Sequence, residues 1–393
     1  MLSNLHQKLD EMYGQMVEWR RHFHQHPELS FEEFETSKKI AEILTSYDIE
    51  VREGVGGTGV VGIIRGGKPG KTIALRADFD ALPIQDEKDV PYKSKVQGVM
   101  HACGHDGHTA TLLGVAKVLS EERDQLAGNV VLIHQHAEEA GTGGAILMIE
   151  DGCLEGVDVI FGTHLSSQTP LGLVGTRKGP LTAAVDGFEV TIYGKGGHGS
   201  APHETVDSII VATQVINQLQ LVVSRRVDPL KPAVLTVGSF HAGEAANVIA
   251  DKAVFTGTVR TLTSDVRDLM ESEIKGIIEQ VSSAHHAKAE ITYQRGYPSV
   301  VNHDKETEFF RKVTSNDLGE ENVVEPEILM GSEDFSYYLE HVPGMFFWTG
   351  AALADENAVF PHHHPRFDFD EKAMLVAGKS FLSLVYQYLN ENQ

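Results

Sequence analysis

A chain of 393 residues exceeds what one ordinary hydrophobic core organises, so two domains, or one large domain carrying an insertion, are the starting expectation. Hydrophobic residues at 41% and charged residues at 23% are the proportions of a folded globular protein and exclude a disordered or fibrous chain. The net charge of −23 repels phosphate backbones and anionic membranes, which argues against nucleic-acid or membrane partners.

The opening MLSNLHQKLDEMYGQM has no basic start followed by an apolar core and a small-residue cleavage site. No apolar run approaches membrane-spanning length, and a cytoplasmic location is the expectation. Apolar positions Leu5, Leu9, Met12, Met16 and Trp19 recur at helical spacing to about residue 26, and a second helix is expected over 30–46 with Ser30 as its N-cap. Then come the β-rich runs VVGIIR (60–65) and TIALRAD (72–78), a helix over about 107–120, the run NVVLIHQHA (129–137), a helix over 143–150 and the run VDVIFGTH (157–164). Strands alternating with helices indicate an α/β layered domain with a largely parallel sheet, in which ligands gather at the carboxyl ends of the strands.

After Gly179 the pattern changes to strand 188–194, helix 205–225, strands 233–240 and 252–261, helix 264–284 and strand 289–293. That order is the split βαβ pattern of a ferredoxin-like α+β unit. The expected organisation is a catalytic domain in two parts, 1–180 and 295–393, with an inserted lid or dimerisation domain over 181–294. The second part is expected to hold a helix around Glu306, another near 333–340, the strand GMFFWTG (344–350) and a final helix after Asp370.

The chain has two cysteines. Two are too few for a disulfide framework. Cys153, in EDGCLEG, reads as a plain buried thiol. Cys103 lies in MHACGHDGHT with His101, His105, Asp106 and His108, company that marks either a metal ligand or a nucleophile. Other ligand-type residues fall in three further stretches: Glu138 and Glu139 in HQHAEE, His164 ending VIFGTH, and His362 to His364 in PHHHPRF. A thiolate, imidazoles and a carboxylate together suit zinc or a neighbouring divalent transition ion and disfavour magnesium and calcium. Each piece alone has an ordinary explanation, since a histidine after a strand is commonly a core residue and a Glu-Glu pair commonly a solvated helix face.

The stretches LRADFDALP, MHACGHDGHTATLLG, the Ala-Glu-Glu of HQHAEE, FGTH, GKGGHGSAPH, NVIAD, GSEDF and HHPRFDF, in that order, resemble the dinuclear metal amidohydrolases that include hippurate hydrolases, N-acyl-amino-acid aminoacylases and auxin-conjugate hydrolases. The resemblance spans nearly the whole chain. It implies that Cys103, His105, Glu139, His164 and His363 ligate metal and that Glu138 is the catalytic base. It further implies that His198 steadies the oxyanion, supplied by the partner subunit of a homodimer, and that Asn247 and Arg260 bind substrate. Two metals roughly 3.5–4 Å apart can share one water and polarise a scissile carbonyl, while one of two adjacent glutamates takes the proton. The sequence departs from the family where FQPAEE is usual, because His134 and His136 stand here; His136 reads as pocket wall or as support for a ligand. Asp78 and Asp80 are placed to hydrogen-bond a liganding imidazole or to cap a turn. Glu333 and Asp334 are expected to border the pocket.

The leading expectation is hydrolysis of the amide bond of N-acyl amino acids, releasing a carboxylic acid and an amino acid, with two divalent ions drawn from zinc, manganese, cobalt or nickel. A dipeptidase or aminopeptidase of the same family is the alternative. Rivals outside it are a hydrolase with Cys103 as nucleophile and a non-catalytic metal-binding protein suggested by the 20 histidines.

Overall fold

A computed structural model of the chain describes residues 2–391. They form two compact units, one comprising Leu2–Leu181, Val300–Glu327 and Asp334–Glu391, the other Thr182–Ser299 with Ile328–Glu333.

The first unit opens with α1 (Leu2–Gln25), whose Leu5, Leu9, Met16, Trp19 and Phe23 recur every three to four residues and form one buried stripe. Next, α2 (Phe34–Thr45) starts four residues later than the sequence suggests. Ser30 does not cap it, because the Ser30 hydroxyl instead donates to Asp80 at 2.7 Å. Strands β1 (Glu50–Val55), β2 (Gly59–Arg65) and β3 (Lys68–Asp78) precede α3 (His105–Glu121), β4 (Ala127–Gln135), α4 (Ala145–Glu150) and β5 (Val159–Ser166). The short strands β6 (Val174–Gly175) and β7 (Gly179–Pro180) end this part.

In the second unit β8 (Ala184–Tyr193), β9 (Gly197–His198), α5 (Ser208–Leu221), β10 (Ala233–Ala242), β11 (Val248–Ile249), β12 (Lys252–Thr261), α6 (Ser264–Ala284) and β13 (Lys288–Arg295) follow one another. The chain returns to the first unit through β14 (Val301–Asn302), which pairs with β7, then α7 (Asp304–Leu318), β15 (Val323–Val324), α8 (Phe335–His341), β16 (Gly344–Gly350) and α9 (Ala373–Glu391).

The large sheet has the order β1-β2-β4-β3-β5-β16-β6-β15. Its centre, β4, β3, β5 and β16, is parallel; β1 is antiparallel to β2 and β2 to β4, and on the other side β6 is antiparallel to β16 and parallel to β15. Alternation along the strands divides the core. Ile73, Leu75, Val130 and Leu132 face α1, α3 and α9, whereas Ala74, Val131, Ile133 and Ile160 face the side that holds Met148 of α4 and Phe335, Tyr338 and Leu339 of α8. The edge strand β1, EVREGV, carries mostly polar residues and is half exposed, so its apolar periodicity is too weak to announce it.

The second unit has the antiparallel order β10-β12-β8-β13, the ferredoxin-like arrangement, with α5 and α6 packed on the sheet over a separate core around Val190, Ile192, Phe255, Val215 and Ile274. Its first helix is capped by Asp207, whose carboxylate accepts from the backbone N–H groups of Ile209 (2.9 Å) and Ile210 (3.3 Å).

One buried cation fastens α1 to the rest of the first unit. The Arg20 guanidinium has no exposed side-chain surface, donates to Asp106 (3.0 Å), Asp368 (2.8 Å) and Glu371 (3.2 Å), and lies 4.4 Å from the Phe369 ring centre. Its partners come from the first turn of α3 and from the segment before α9, which is why no local spacing reveals the network. Asp106 also accepts from His24 (2.7 Å), and it belongs to this clamp. Removing one partner of a buried ion pair strands the others uncompensated. Arg20→Ala is therefore expected to lower the unfolding free energy by about 3–5 kcal/mol in urea denaturation.

Candidate metal centre

Glycine at 104 makes the first half of the centre possible. Its φ of +97° is a left-handed conformation that lets the chain turn from Cys103 directly into α3 at His105. The carboxyl ends of β3, β4 and β5 supply the other half: Asp78 ends β3, His136 to Glu139 follow β4, and His164 lies within the last three residues of β5.

Cys103, His105, Glu139, His164, His362 and His363 converge there. Cys103 Sγ lies 3.3 Å from His164 Nε2 and 3.8 Å from His362 Nδ1, and the ligand atoms of Cys103, His105 and Glu139 are within 4.8 Å of one another. Glu139 Oε1 is 4.0 Å from His105 Nε2 and 3.2 Å from His363 Nε2. The three consecutive histidines separate cleanly. His363, at φ +64°, aims at Glu139, His362 aims at Cys103 and His164, and His364 stacks on Phe360 with ring centres 4.5 Å apart, away from the cluster.

Carboxylates orient the imidazoles. His105 Nδ1 donates to Asp80, through its backbone oxygen (3.0 Å) and its carboxylate (3.1 Å), which leaves Nε2 directed at the cluster. His164 Nδ1 donates to the Leu165 carbonyl (2.8 Å), fixing the tautomer with Nε2 bare. His108 is used up elsewhere: Nδ1 donates to Asp78 (2.6 Å) and Nε2 accepts from the Leu165 N–H (2.9 Å). Asp78 also takes Arg76 at 2.5 Å, and Arg76 reaches on to Gln135 and Asp334, both at 2.8 Å. Asp334 is thus a buried carboxylate held by Arg76 and Gln135, with an oxygen within 4.8 Å of the Glu138 carboxylate. His101 and His134 are buried with both ring nitrogens unpartnered among the described residues. Burial pushes the pKa of each down to about 3, so both remain neutral. His136 is equally buried, its ring edge-to-face with Phe31 at 5.7 Å and against Gly57, the environment of a wall residue.

The electrostatics ask for a cation. Burial opposes a charge on His105, yet Asp78, Asp80 and Glu139 overcome it and raise its pKa to about 10. Burial lowers the pKa of His164 well below the usual imidazole range, and the neighbouring His108 and His362 lower it further. Burial, followed by Glu139 and Glu138, raises the Cys103 thiol well above its ordinary value. That is the opposite of what a nucleophilic cysteine needs, whereas a divalent ion would displace these protons and satisfy Glu139 Oε1, which faces His363, and His105 Nε2, which is buried without a hydrogen-bond partner among the described residues. A donor set of sulfur, nitrogen and oxygen fits a borderline-soft transition ion.

The second unit carries the remaining candidates. His198 is exposed, its Nδ1 2.7 Å from Ser200 Oγ, and the carbonyl of exposed Asn247 accepts from Gly199 N–H at 2.8 Å, so these two share one rim. Arg260 is at the other end of the sheet. It pairs with Val185, while Lys252, at the end near His198, pairs with Tyr193, eight residues or about 26 Å away along β8.

Residues 74–387 match Peptidase family M20/M25/M40. The chain belongs to this family. It is 52% identical over 386 residues to YhaA of Bacillus subtilis, covering 98% of each chain, and 43% identical to the N-acetyl-L-cysteine deacetylase of the same organism, covering 98% of this chain and 91% of that one. The solved structure of Bacillus subtilis YXEP, described as a dinuclear metal-binding peptidase of the M20 family, superposes with a TM-score of 0.84 at 38% identity over 97% of this chain and 99% of that one. The present chain is a metal-dependent hydrolase of amide bonds.

Sequence reasoning did not single out the contact of His362 with Cys103, nor Ser30 as a partner of Asp80; the RADFD motif did offer Asp80 as a partner of a liganding imidazole, and His105 is that imidazole. Asp80 also accepts from the Glu139 backbone N–H at 2.9 Å, so it holds both His105 and Glu139 in place. Asp80→Ala is expected to weaken metal binding roughly 10- to 100-fold, read by competition with a chromophoric chelator.

Proposed function

We propose that this enzyme hydrolyses the amide bond of N-acyl amino acids, releasing a carboxylic acid and an amino acid. In this reading Cys103, His105, Glu139, His164 and His363 hold two divalent transition-metal ions, drawn from zinc, manganese, cobalt and nickel. The observation that carries it is the convergence of those donors, with His105 Nε2 buried and unpartnered among the described residues, beside Glu138, itself almost fully buried. The deacetylase relative, which acts on an N-acyl amino acid by name, supports the substrate class. The description of YXEP as a peptidase favours the second reading, a dipeptidase or aminopeptidase of the same family.

Bound divalent ions would supply Lewis acidity toward the scissile carbonyl and make water acidic near neutral pH. Glu138 takes the proton from the attacking water and returns it to the leaving amine nitrogen. His198 donates a hydrogen bond to the oxyanion from a second copy of the chain, with Asn247 beside it, and Arg260 grips the free carboxylate of the substrate. The working form is a homodimer in the cytoplasm, with the second unit as its lid. Among the described residues no helix is long and apolar enough to cross a membrane.

Chelation is expected to abolish turnover of a panel of N-acyl amino acids and dipeptides, and reloading with zinc, manganese, cobalt or nickel to restore it. No turnover of any amide with any of these metals would overturn the proposal, and preference for the dipeptides would select the second reading. Glu138→Gln should lower kcat by roughly 10²- to 10⁴-fold while the metal content of the purified protein stays unchanged. The role of His198 has its own measurement. Mixing inactive Glu138→Gln and His198→Ala subunits should regenerate activity, because one site of each mixed dimer then has both groups intact; if His198 serves its own subunit, mixing restores nothing.

A further inference from the structure

We propose that Glu33 is a positioning residue for Glu138, acting through the backbone of Ala137; the inference rests on the reading of Glu138 as the base. Glu33 precedes α2 and is 104 residues from the segment it touches, yet its side chain is fully buried. Oε1 accepts from the Ala137 N–H at 2.9 Å and Oε2 accepts from the Thr58 hydroxyl at 2.9 Å.

Ala137 is where help is needed. Its φ is +51°, left-handed backbone that a residue with a Cβ avoids unless its surroundings hold it there. Three bonds do so: Glu33 takes its N–H, the Gly144 N–H donates to its carbonyl at 3.0 Å, and Asp80 takes the N–H of Glu139. The backbone on either side of Glu138 is thus tied to two carboxylates from separate elements, Glu33 through the Ala137 N–H and Asp80 through the Glu139 N–H, and the direction of the base follows from backbone rather than from its own rotamer alone. A carboxylate buried beside Asp80 is a poor way to gain stability. Burial, then the Asp80 charge, pushes the Glu33 pKa up to about 7, while both of its oxygens are placed as acceptors.

The test compares Glu33→Ala, Glu33→Gln, Thr58→Val and Glu138→Gln. Each is assayed for kcat and KM on the N-acyl amino acid that the wild type turns over fastest, for metal content by mass spectrometry, and for amide exchange in the peptide spanning 130–142. Glu33→Ala should lose roughly 10- to 100-fold in kcat, with KM and metal content unchanged and faster exchange at Ala137. Glu33→Gln should stay within about threefold of wild type, since the amide oxygen still accepts from Ala137 and its NH₂ turns to Thr58. Thr58→Val, which removes one anchor only, should fall between them and decides the matter if Glu33→Ala does not fold. Wild-type kcat in Thr58→Val and in any folded Glu33→Ala, with Glu138→Gln inactive, overturns the positioning role and leaves the base standing. Equal loss in Glu33→Ala and Glu33→Gln, or loss that tracks lost metal, also overturns it. Wild-type turnover by Glu138→Gln removes the base, and this inference with it.

Discussion

Arg76 is the charge around which the catalytic unit is arranged. It sits on β3 with no exposed surface, and it must be there because Asp78 and Asp334 bring two carboxylates into a parallel sheet that excludes water. Paired with Arg76, Asp78 remains ionised and holds His108, and His108 accepts from the Leu165 N–H, which anchors the end of β5 beside His164. One step along the same turn, Asp80 does for His105 and Glu139 what Asp78 does for His108. The ligand cluster is therefore the outermost layer of a graded system, in which a permanent cation stabilises carboxylates and the carboxylates aim imidazoles. His105 and His164 each have Nδ1 fixed as the donor, and the bare Nε2 faces the cluster.

The same gradient accounts for the proton affinities. His105 is driven to hold a proton, and Cys103 resists losing one, because Glu138, Glu139, Asp78 and Asp80 surround them with negative potential in a dry site. Such a site is incomplete without added positive charge, and protons and metal ions compete for it. A thiolate nucleophile would need the reverse surroundings, which is the physical reason the metal reading prevails over the cysteine hydrolase.

Much of this was legible from the sequence. The parallel core strands and the ferredoxin-like insertion follow from hydrophobic runs whose periods differ, and the ligand stretches stand out because Cys, His and Glu are rare neighbours in cores. Strand β1 was not legible, since a half-exposed edge strand keeps too few apolar positions. Nor was the choice among His362, His363 and His364, which depends on one left-handed residue at His363 and on what each ring meets across the fold. Arg20, Ser30 and Glu33 were invisible as functional supports for the same reason: their partners are 25 to more than 300 residues away, and nothing in the local pattern ELSFEEFE distinguishes a buried Glu33 from the exposed Glu32 beside it.

The position of β16 in the large sheet bears on how the protein is made. This strand inserts between β5 and β6, yet it is synthesised after the whole second unit, and His363 follows it. A nascent chain therefore has an open slot in the middle of its sheet until β16 has been made, while the second unit can already close on its own core. Long-range parallel pairing of this kind is slow. Completion of the ligand cluster therefore waits on a strand and a histidine that follow the whole second unit in the chain.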